Sequence, residues 1–176
     1  DSLRAFRTTG PEPTVEMGPD SVTANTPTNL SIDTDPYVAG SIDRVEWDLT
    51  NNGTVDATGP NITHVYDRSG NRTGTVTVTN VFGDEYTSNF TVAVNAAPAP
   101  TIAAVEATLT DQSVVFNGSR TADPDGTVVT TQWAVDGDIV AANTSTYTAT
   151  FEEAGVYNVS LTATDDDGAT ATDTTA

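Results

Sequence analysis

The sequence predicts an all-β fold arranged as two tandem β-sandwich domains. Its composition is typical of strands and turns, because Thr and Ser make up a quarter of the 176 residues while Leu, Met, Lys and Glu are scarce. Short segments alternate apolar and polar residues, which predicts strands with one face in a core. An internal repeat of about 85 residues divides the chain into two copies of one unit.

The apolar pattern places strands at regular intervals along the chain. Apolar residues alternate with polar ones in 76–78, 90–94 and 157–161, as expected for half-buried strands. Residues 114–116 form a continuous apolar run, which predicts a more deeply buried strand. Dipeptides that favour turns with positive φ separate these segments. They are Asn52-Gly53, Asp125-Gly126, Asp136-Gly137 and Asp167-Gly168.

The repeat sets the predicted domain boundaries. Trp47 aligns with Trp133 and Gly83 aligns with Gly168, at offsets of 86 and 85 residues. The first domain is predicted for residues 11–95 and the second for residues 96–176, with residues 1–10 as a linker or processed N-terminus. Since only 169–176 remain for the last strand of the second repeat, we expect that strand to be incomplete.

A series of spaced motifs in the second repeat resembles a known family. The motifs are Asn95-x-x-Pro98, Phe116-Asn-Gly-Ser119, Asp123-Pro-Asp125-Gly126, Trp133-x-x-Asp136-Gly137-Asp138, Gly155-x-Tyr157-x-Val159-x-Leu161 and Asp165-Asp-Asp-Gly168. This series resembles the PKD repeat, the polycystin-type Ig-like β-sandwich of many extracellular and cell-surface proteins. The resemblance implies two tandem Ig-like sandwiches in an extracellular protein.

The charge of the chain excludes some partners. With 25 acidic residues against six Arg and no Lys, the net charge is −19, so nucleic acid and anionic membranes are poor partners. Acidic chains without Lys resemble proteins of extremely halophilic archaea, so we expect an origin in such an organism or in its virus. The alternative is an acidic surface that serves solubility alone. No apolar run approaches the roughly 20 residues of a membrane span.

The chain offers little material for catalysis, and we predict that it is not an enzyme. It has one His, no Cys and no Lys, whereas hydrolases and transferases need a base and commonly a nucleophile beside it. His64 is two residues from Tyr66 and is expected to face the same side of its strand as a structural residue. Trp47 and Trp133 are expected to fill the two cores.

Acidic side chains of the second repeat are predicted to meet at one end of its sandwich. The start of strand A, the BC loop and the FG loop emerge at that end, and they carry Asn95, the loop with Asp123 and Asp125, and the acidic run 165–167. The predicted ligands are Asn95, Asp123, Asp125, Asp165 and Asp167. These hard oxygen donors suit Ca²⁺, which would offset their mutual repulsion. The resemblance implies the same ion, because some PKD-like domains of secreted bacterial collagenases carry Ca²⁺ near such a place. The alternative is a solvated cluster of acidic turns.

The first repeat offers weaker metal candidates. The residues equivalent to the acidic end are Asp33, Asp35, Asp84 and Glu85. The segment 48–56 resembles a calcium loop, but Gly59 stands where that loop places its last ligand, a Glu, so we discount it.

Eight of the twelve Asn residues lie in Asn-x-Ser/Thr sequons, where chance would give about three. The excess favours export and N-glycosylation, and the alternative is that strands rich in Asn and Thr create sequons incidentally. The acceptors are Asn29, Asn52, Asn61, Asn71, Asn89, Asn117, Asn143 and Asn158.

These observations predict a non-enzymatic structural or adhesion module of a surface, appendage or virion protein. It would act as a spacer and as a scaffold for binding proteins or glycans. Other surface or assembly proteins, including copies of itself, are the expected partners, at an extracellular, cell-surface or virion-surface location. The alternative is a pair of accessory domains that position a secreted hydrolase on its substrate, for which an exposed aromatic cluster would be expected.

Overall fold

The computed structural model describes residues 13–17, 22–33, 42–103 and 109–176. Every regular element among them is a β-strand, so the predicted all-β fold is confirmed. The chain divides into two compact units, residues 1–94 and 95–176. The predicted N-terminal linker, residues 1–10, lies outside the described residues.

Unit 1 contains two sheets that enclose one core. The first has strand order β1-β3-β6, and the second has the order β2-β8-β7-β4-β5. The strands are β1 (Thr14–Met17), β2 (Val22–Thr23), β3 (Pro27–Asp33), β4 (Ile42–Asp48), β5 (Ala57–Thr58), β6 (Asn61–Val65), β7 (Gly70–Asn80) and β8 (Glu85–Asn95).

Trp47 lies at the centre of the unit 1 core, as the sequence predicted. Its side chain is fully buried, its indole N–H donates to the Gly59 carbonyl at 2.8 Å, and its ring meets Phe90 edge-on at 5.7 Å. Val76 and Val78 of β7 are buried, while Thr75 and Thr77, which alternate with them, are only partly buried. This alternation confirms the strand that period two predicted there.

Unit 2 also contains two sheets around a buried Trp. The sheets have the strand orders β12-β9 and β11-β10-β13-β14. Trp133 is fully buried, and its indole N–H donates to the Thr144 carbonyl at 3.0 Å. The strands are β9 (Ser113–Asn117), β10 (Val128–Val135), β11 (Asp138–Ala142), β12 (Thr146–Thr150), β13 (Val159–Asp165) and β14 (Thr170–Thr175).

Two predicted features of unit 2 were wrong in detail. The apolar run 114–116 is not a deeply buried strand, because β9 alternates between its two faces and leaves Val115 56% exposed. The strand predicted from residue 157 begins at Val159. Tyr157 instead stacks on Phe151 at 4.2 Å and donates its hydroxyl proton to the Glu153 carbonyl.

Glycine serves two different purposes at the predicted turns. Asp136 and Gly137 both have positive φ and close the two-residue hairpin between β10 and β11. The chain bends at Gly126, but this residue does not have positive φ, so the positive φ predicted for it was wrong. A Cβ there would lie 2.7 Å from Oδ2 of Asp123 and closer still to Oδ1 of Asp166, so this position needs glycine for close packing.

Candidate functional site

The acidic end of unit 2 brings most of the predicted ligands together. Asn95 at the start of the unit, the loop between β9 and β10, and the turn between β13 and β14 all meet there. Asn95 is bonded to Asp165, and the next residue, Ala96, is bonded to Asp125. Asp123 and Asp166 both approach Gly126. Asp167 lies exposed at the tip of the β13–β14 turn.

Asp165 acts as a buried hydrogen-bond acceptor. The residue is only 1% exposed. Oδ2 accepts a hydrogen bond from the Asn95 amide at 2.7 Å, and Oδ1 accepts one from the Ala169 backbone N–H at 2.7 Å. The carboxylate therefore joins the start of unit 2 to the turn between β13 and β14.

The Asp123 and Asp125 loop is held in a similar way. Both oxygens of Asp125 lie 3.1 Å from the Ala96 backbone N–H, which donates to them. Oδ1 of Asp123 accepts a bond from the Asp125 N–H at 3.3 Å. Oδ2 of Asp123 is buried and has no hydrogen-bond partner. Among the carboxylate oxygens of Asp123, Asp125 and Asp165, this is the one that accepts no hydrogen bond.

Asp166 belongs to the acidic run that was predicted for this end, although it was not among the named ligands. Its Oδ1 accepts a bond from the Thr127 backbone N–H at 2.7 Å. This bond is the main cause that lowers the pKa of Asp166, and a bond from the residue's own backbone N–H is the second. The sequence placed Asp166 in the acidic run, but no pattern in the run distinguishes the residue whose side chain turns back onto the β9–β10 loop.

The hydrogen bonds to these carboxylates affect whether the acidic end can bind a metal ion. Asp125, Asp165 and Asp166 each accept from N–H groups, which is how proteins stabilise carboxylates without a metal. Among the residues that the structure describes, no group of three or more acidic or His side chains is arranged to hold a metal ion. Ca²⁺ binding therefore stays a prediction, and its structural support is the unpartnered oxygen of Asp123.

The equivalent turn of unit 1 uses Asn80 where unit 2 uses Asp165. The Asn80 side-chain oxygen accepts from the backbone N–H groups of Phe82 and Asp84, both at 2.9 Å, and its amide donates to the Asp84 carboxylate at 3.1 Å. The turn holds Phe82 outward, where it is 84% exposed. Asp35, predicted for the same end, lies outside the described residues.

The discounted calcium loop of unit 1 is a hydrogen-bonded turn. The Asp48 carboxylate accepts from the backbone N–H groups of Asn52 and Gly53 at 3.1 and 2.7 Å. Asp56 accepts from Leu49 and Thr50. Burial raises the pKa of Asp48, but the backbone N–H bonds together outweigh burial and lower that pKa overall.

His64 lies against Tyr66, as the sequence predicted for residues two apart on a strand. The two rings meet edge-on with centroids 4.6 Å apart. The Tyr66 hydroxyl is buried and has no hydrogen-bond partner. Burial raises the pKa of Tyr66.

The eight sequon asparagines are all exposed. Two of the sequons lie side by side, because residues 29–31 of β3 pair in register with residues 61–63 of β6. Asn29 lies opposite Thr63 and accepts its hydroxyl proton at 2.8 Å. Asn117 accepts from the N–H of Ser119, the Ser of its own sequon, at 2.9 Å. Occupancy by glycans stays a prediction.

Comparison with known proteins identifies a family and several similar folds. The family model described as the PKD domain matches residues 10–94 and again residues 95–176. The fibronectin(III)-like modules of Clostridium thermocellum CbhA are 16% identical over 92% of this chain and 91% of that one, with a TM-score of 0.44. The PKD1 domain of the Vibrio cholerae metalloprotease PrtV is 24% identical over 48% of this chain and 96% of that one, with a TM-score of 0.37. Three N-terminal domains of the bacteriophage RB49 outer capsid protein Hoc are 15% identical over 93% of this chain and 57% of that one, with a TM-score of 0.45.

The two family matches cover almost the whole chain and carry the assignment on their own. The three solved structures have TM-scores below 0.5, and the family assignment does not depend on them. Within the described ranges, the structure contains no helix of the length and apolarity that a membrane span requires.

Proposed function

The chain belongs to the PKD domain family, and because it holds two tandem copies of that domain, we propose that it is a non-enzymatic structural and adhesion module of an extracellular protein. It acts as a spacer and as a scaffold for interaction with other surface or assembly proteins. Its location is the outside of a cell or the surface of a virion.

The observation that carries this proposal is the way in which the chain uses its carboxylates. Asp48, Asp125, Asp165 and Asp166 are bonded to N–H groups of nearby turns, so each fixes a loop. His64, which is the chain's one imidazole, packs on Tyr66. Side chains that could transfer protons are thus used to hold two sandwiches in shape, which is the chemistry of a scaffold.

Surface labelling tests the location. Antibodies raised against residues 13–176 should label intact cells or virions of the source organism as strongly as permeabilised ones. Labelling that requires permeabilisation would overturn the proposal. A periplasmic or cytoplasmic protein that is labelled in parallel controls for leakage.

Glycosylation is part of the proposal and is supported by the exposure of all eight acceptors. Peptide mapping of native material should find glycans on these Asn residues. The matched controls within the same digest are the exposed residues Asn25 and Asn51, which lie outside sequons. Peptides without glycan at all eight positions would refute this part alone.

A halophilic origin is supported by the net charge of −19 and the absence of Lys. At ionic strengths near 1 M, charge repulsion is screened within about 3 Å. We therefore expect the melting temperature of both units to rise with KCl into the molar range. A melting temperature that is constant or falls with salt would contradict this origin.

Ca²⁺ at the acidic end is proposed on the support of Asp123, whose buried Oδ2 has no partner. The residues that would hold the ion are those predicted, Asn95, Asp123, Asp125, Asp165 and Asp167. Calcium titration by calorimetry should then give heat of binding that Asp123→Asn removes and that Asp43→Asn, a change at an exposed position of β4 in unit 1, retains. Equal melting curves in chelator and in Ca²⁺ would show that hydrogen bonds alone hold this end.

The alternative, a substrate-positioning module of a secreted hydrolase, has no observation in its favour. Among the residues that the structure describes, Phe82 is the one aromatic residue that is largely exposed to solvent. A platform for a polymeric substrate would need several.

A further inference from the structure

Unit 2 presents an outer sheet face that is built largely from hydroxyl side chains. In antiparallel strands, residues directly opposite each other point to the same side. The opposed pairs of β13 and β14 on the outer side are Ser160 with Thr174, Thr162 with Thr172, and Thr164 with Thr170. Val159, Leu161 and Ala163, which alternate with them, are buried in the core.

The same three rows continue onto β10 and β11. Thr130 lies opposite Thr164, Gln132 opposite Thr162, and Ala134 opposite Ser160. On β11, Ala142 and Ile139 extend two of the rows. We call the outer side chains of these four strands the neutral face, because none of them is charged.

The absence of charge is unusual in this unit. Residues 95–176 contain twelve acidic residues and one Arg. The equivalent face of unit 1 does carry charge, since Arg44, Glu46 and Asp48 of β4 lie in its rows. Sequon residue Asn89 also lies in that unit 1 face, opposite Thr75. Two sequon residues lie at the margin of the neutral face: Asn158, two positions before Ser160, and Asn143, which follows Ala142 at the end of β11.

The centre of the neutral face has part of its hydrogen bonding satisfied within the face. The hydroxyls of Thr162 and Thr172 lie 2.8 Å apart and share one hydrogen bond, so one of the two O–H groups still needs an acceptor. Covering neutral hydroxyls costs less than covering carboxylates. The face can therefore lose its water at a lower cost than the acidic surface of this unit.

We propose that the neutral face packs against the same face of a second copy of this chain. Two chains that each carry a charge of −19 repel one another over most of their surface. The repulsion is weakest where both surfaces lack charge, and a two-fold axis brings the same patch of both copies together. This inference rests on the proposed function, because it names the surface through which the scaffold assembles.

The size of the face sets the strength of the contact. Four strands spaced about 4.8 Å apart and about five residues long give roughly 300 to 400 Å² from each copy. The total of roughly 600 to 800 Å² is below the roughly 1,200 Å² at which stable complexes begin. The association is therefore weak in dilute solution and becomes effective where many copies are held side by side.

The sign of the salt dependence follows from the acidic residues around the face. At about 0.1 M salt the screening length is about 10 Å, so acids at the rims of two copies still repel; at about 1 M it is about 3 Å. Association should thus increase with salt. Contacts made by ion pairs show the opposite dependence.

Sedimentation equilibrium of the whole chain tests the proposal. From about 10 µM to about 1 mM protein, we expect a monomer–dimer equilibrium that shifts toward dimer as salt rises from about 0.1 to about 1 M. Thr172→Glu places two like charges at the centre of the contact and should weaken association at least about tenfold. Thr87→Glu is the matched control, because Thr87 makes the same bond to Thr77, at 3.1 Å, on unit 1.

A second variant distinguishes loss of association from misfolding. Gln132→Glu adds charge to the neutral face with almost no change of shape at an exposed position, and it should weaken association while leaving the near-UV circular dichroism unchanged. A chain that stays monomeric at all salts, or dimers that resist both variants, or equal loss with Thr87→Glu, would overturn the proposal. Binding to an insoluble neutral polysaccharide that Gln132→Glu abolishes, in a monomeric chain, would assign the face to a glycan instead.

The two proposals fail separately. A monomeric chain removes the neutral face as an assembly surface and leaves the surface labelling untouched. Labelling only after permeabilisation refutes the extracellular module, whatever the sedimentation result.

Discussion

Replacing Asp165 by Ala tests how the acidic end holds unit 2 together. The change leaves two donors without a partner, the Asn95 amide and the Ala169 N–H. Each lost partner costs about 1 to 3 kcal/mol, and water can reach the less buried Ala169, so we expect a loss of about 2 to 4 kcal/mol. In a domain of this size, that corresponds to a fall in melting temperature of roughly 10 to 25 °C.

The two tryptophans allow the loss to be assigned to one unit. Each unit has one buried Trp whose indole N–H is hydrogen-bonded, to Gly59 in unit 1 and to Thr144 in unit 2. Their two indole proton signals, followed by NMR during heating, report the units separately. In Asp165→Ala, the Trp133 signal should be lost at a lower temperature while the Trp47 signal melts as in the parent chain.

Asn80→Ala is the matched control, since Asn80 fixes the same turn of unit 1. It should lower the transition at Trp47 and leave that at Trp133 unchanged. The double variant Asn95→Ala with Asp165→Ala should be less damaging than the sum of its single changes, because it removes donor and acceptor together. The reasoning is refuted if Asp165→Ala lowers the Trp133 transition by less than about 3 °C.

Three further outcomes follow from other positions. Tyr66→Phe removes a buried hydroxyl without a partner and should stabilise unit 1 by about 1 kcal/mol in urea unfolding. Because burial raises the pKa of Tyr66, the unfolding free energy of the parent should also fall above about pH 10, where unfolded Tyr ionises, and this fall should be smaller in the variant. Gly126→Ala forces a Cβ into Oδ1 of Asp166 and should cost unit 2 about 1 to 3 kcal/mol by calorimetry, whereas Gly155→Ala, with its nearest atom at 3.5 Å, should be close to neutral. The pKa of Asp48 in unit 1 and that of Asp166 in unit 2 are lowered, so the stability they contribute is complete above about pH 4 and is lost as the pH falls through the lower folded values. Asp48→Asn should reduce the acid dependence of unit 1 alone, and equal acid profiles of variant and parent would contradict this.

The sequence predicts the elements of this fold well where a face alternates or a motif recurs. Period two identified the buried side of β7, and the alignment of Trp47 with Trp133 identified the centre of each core. These predictions succeed because burial of one face is a property of residue order along a single strand.

Position within a sheet is harder to predict than the strand itself. Val115 looked like a core residue but is exposed, because it lies on the outer side of β9 while its neighbour Phe116 is buried. The neutral face was also hidden in the sequence. Its rows depend on register between strands, and β10 shifts register against both of its neighbours.

The acidic end shows which part of a site cannot be predicted. The residues that converge there were found from the order of loops in a sandwich. Whether a carboxylate turns to a cation or to an N–H depends on backbone directions within a few residues, such as that of Thr127 toward Asp166. Composition carries no information on those directions.

The sequons within strands relate the structure to the time at which the chain is glycosylated. Five acceptors lie in strands that are paired in ladders, and two of their sequons, 29–31 and 61–63, lie side by side on neighbouring strands. A transferase that grips its acceptor as a free extended peptide could reach these only before the strands paired, while the turn at Asn52 stays open to it afterwards. The set of asparagines that carry glycans would therefore show whether glycosylation comes before or after folding. The five acceptors are Asn29, Asn61, Asn71, Asn89 and Asn117.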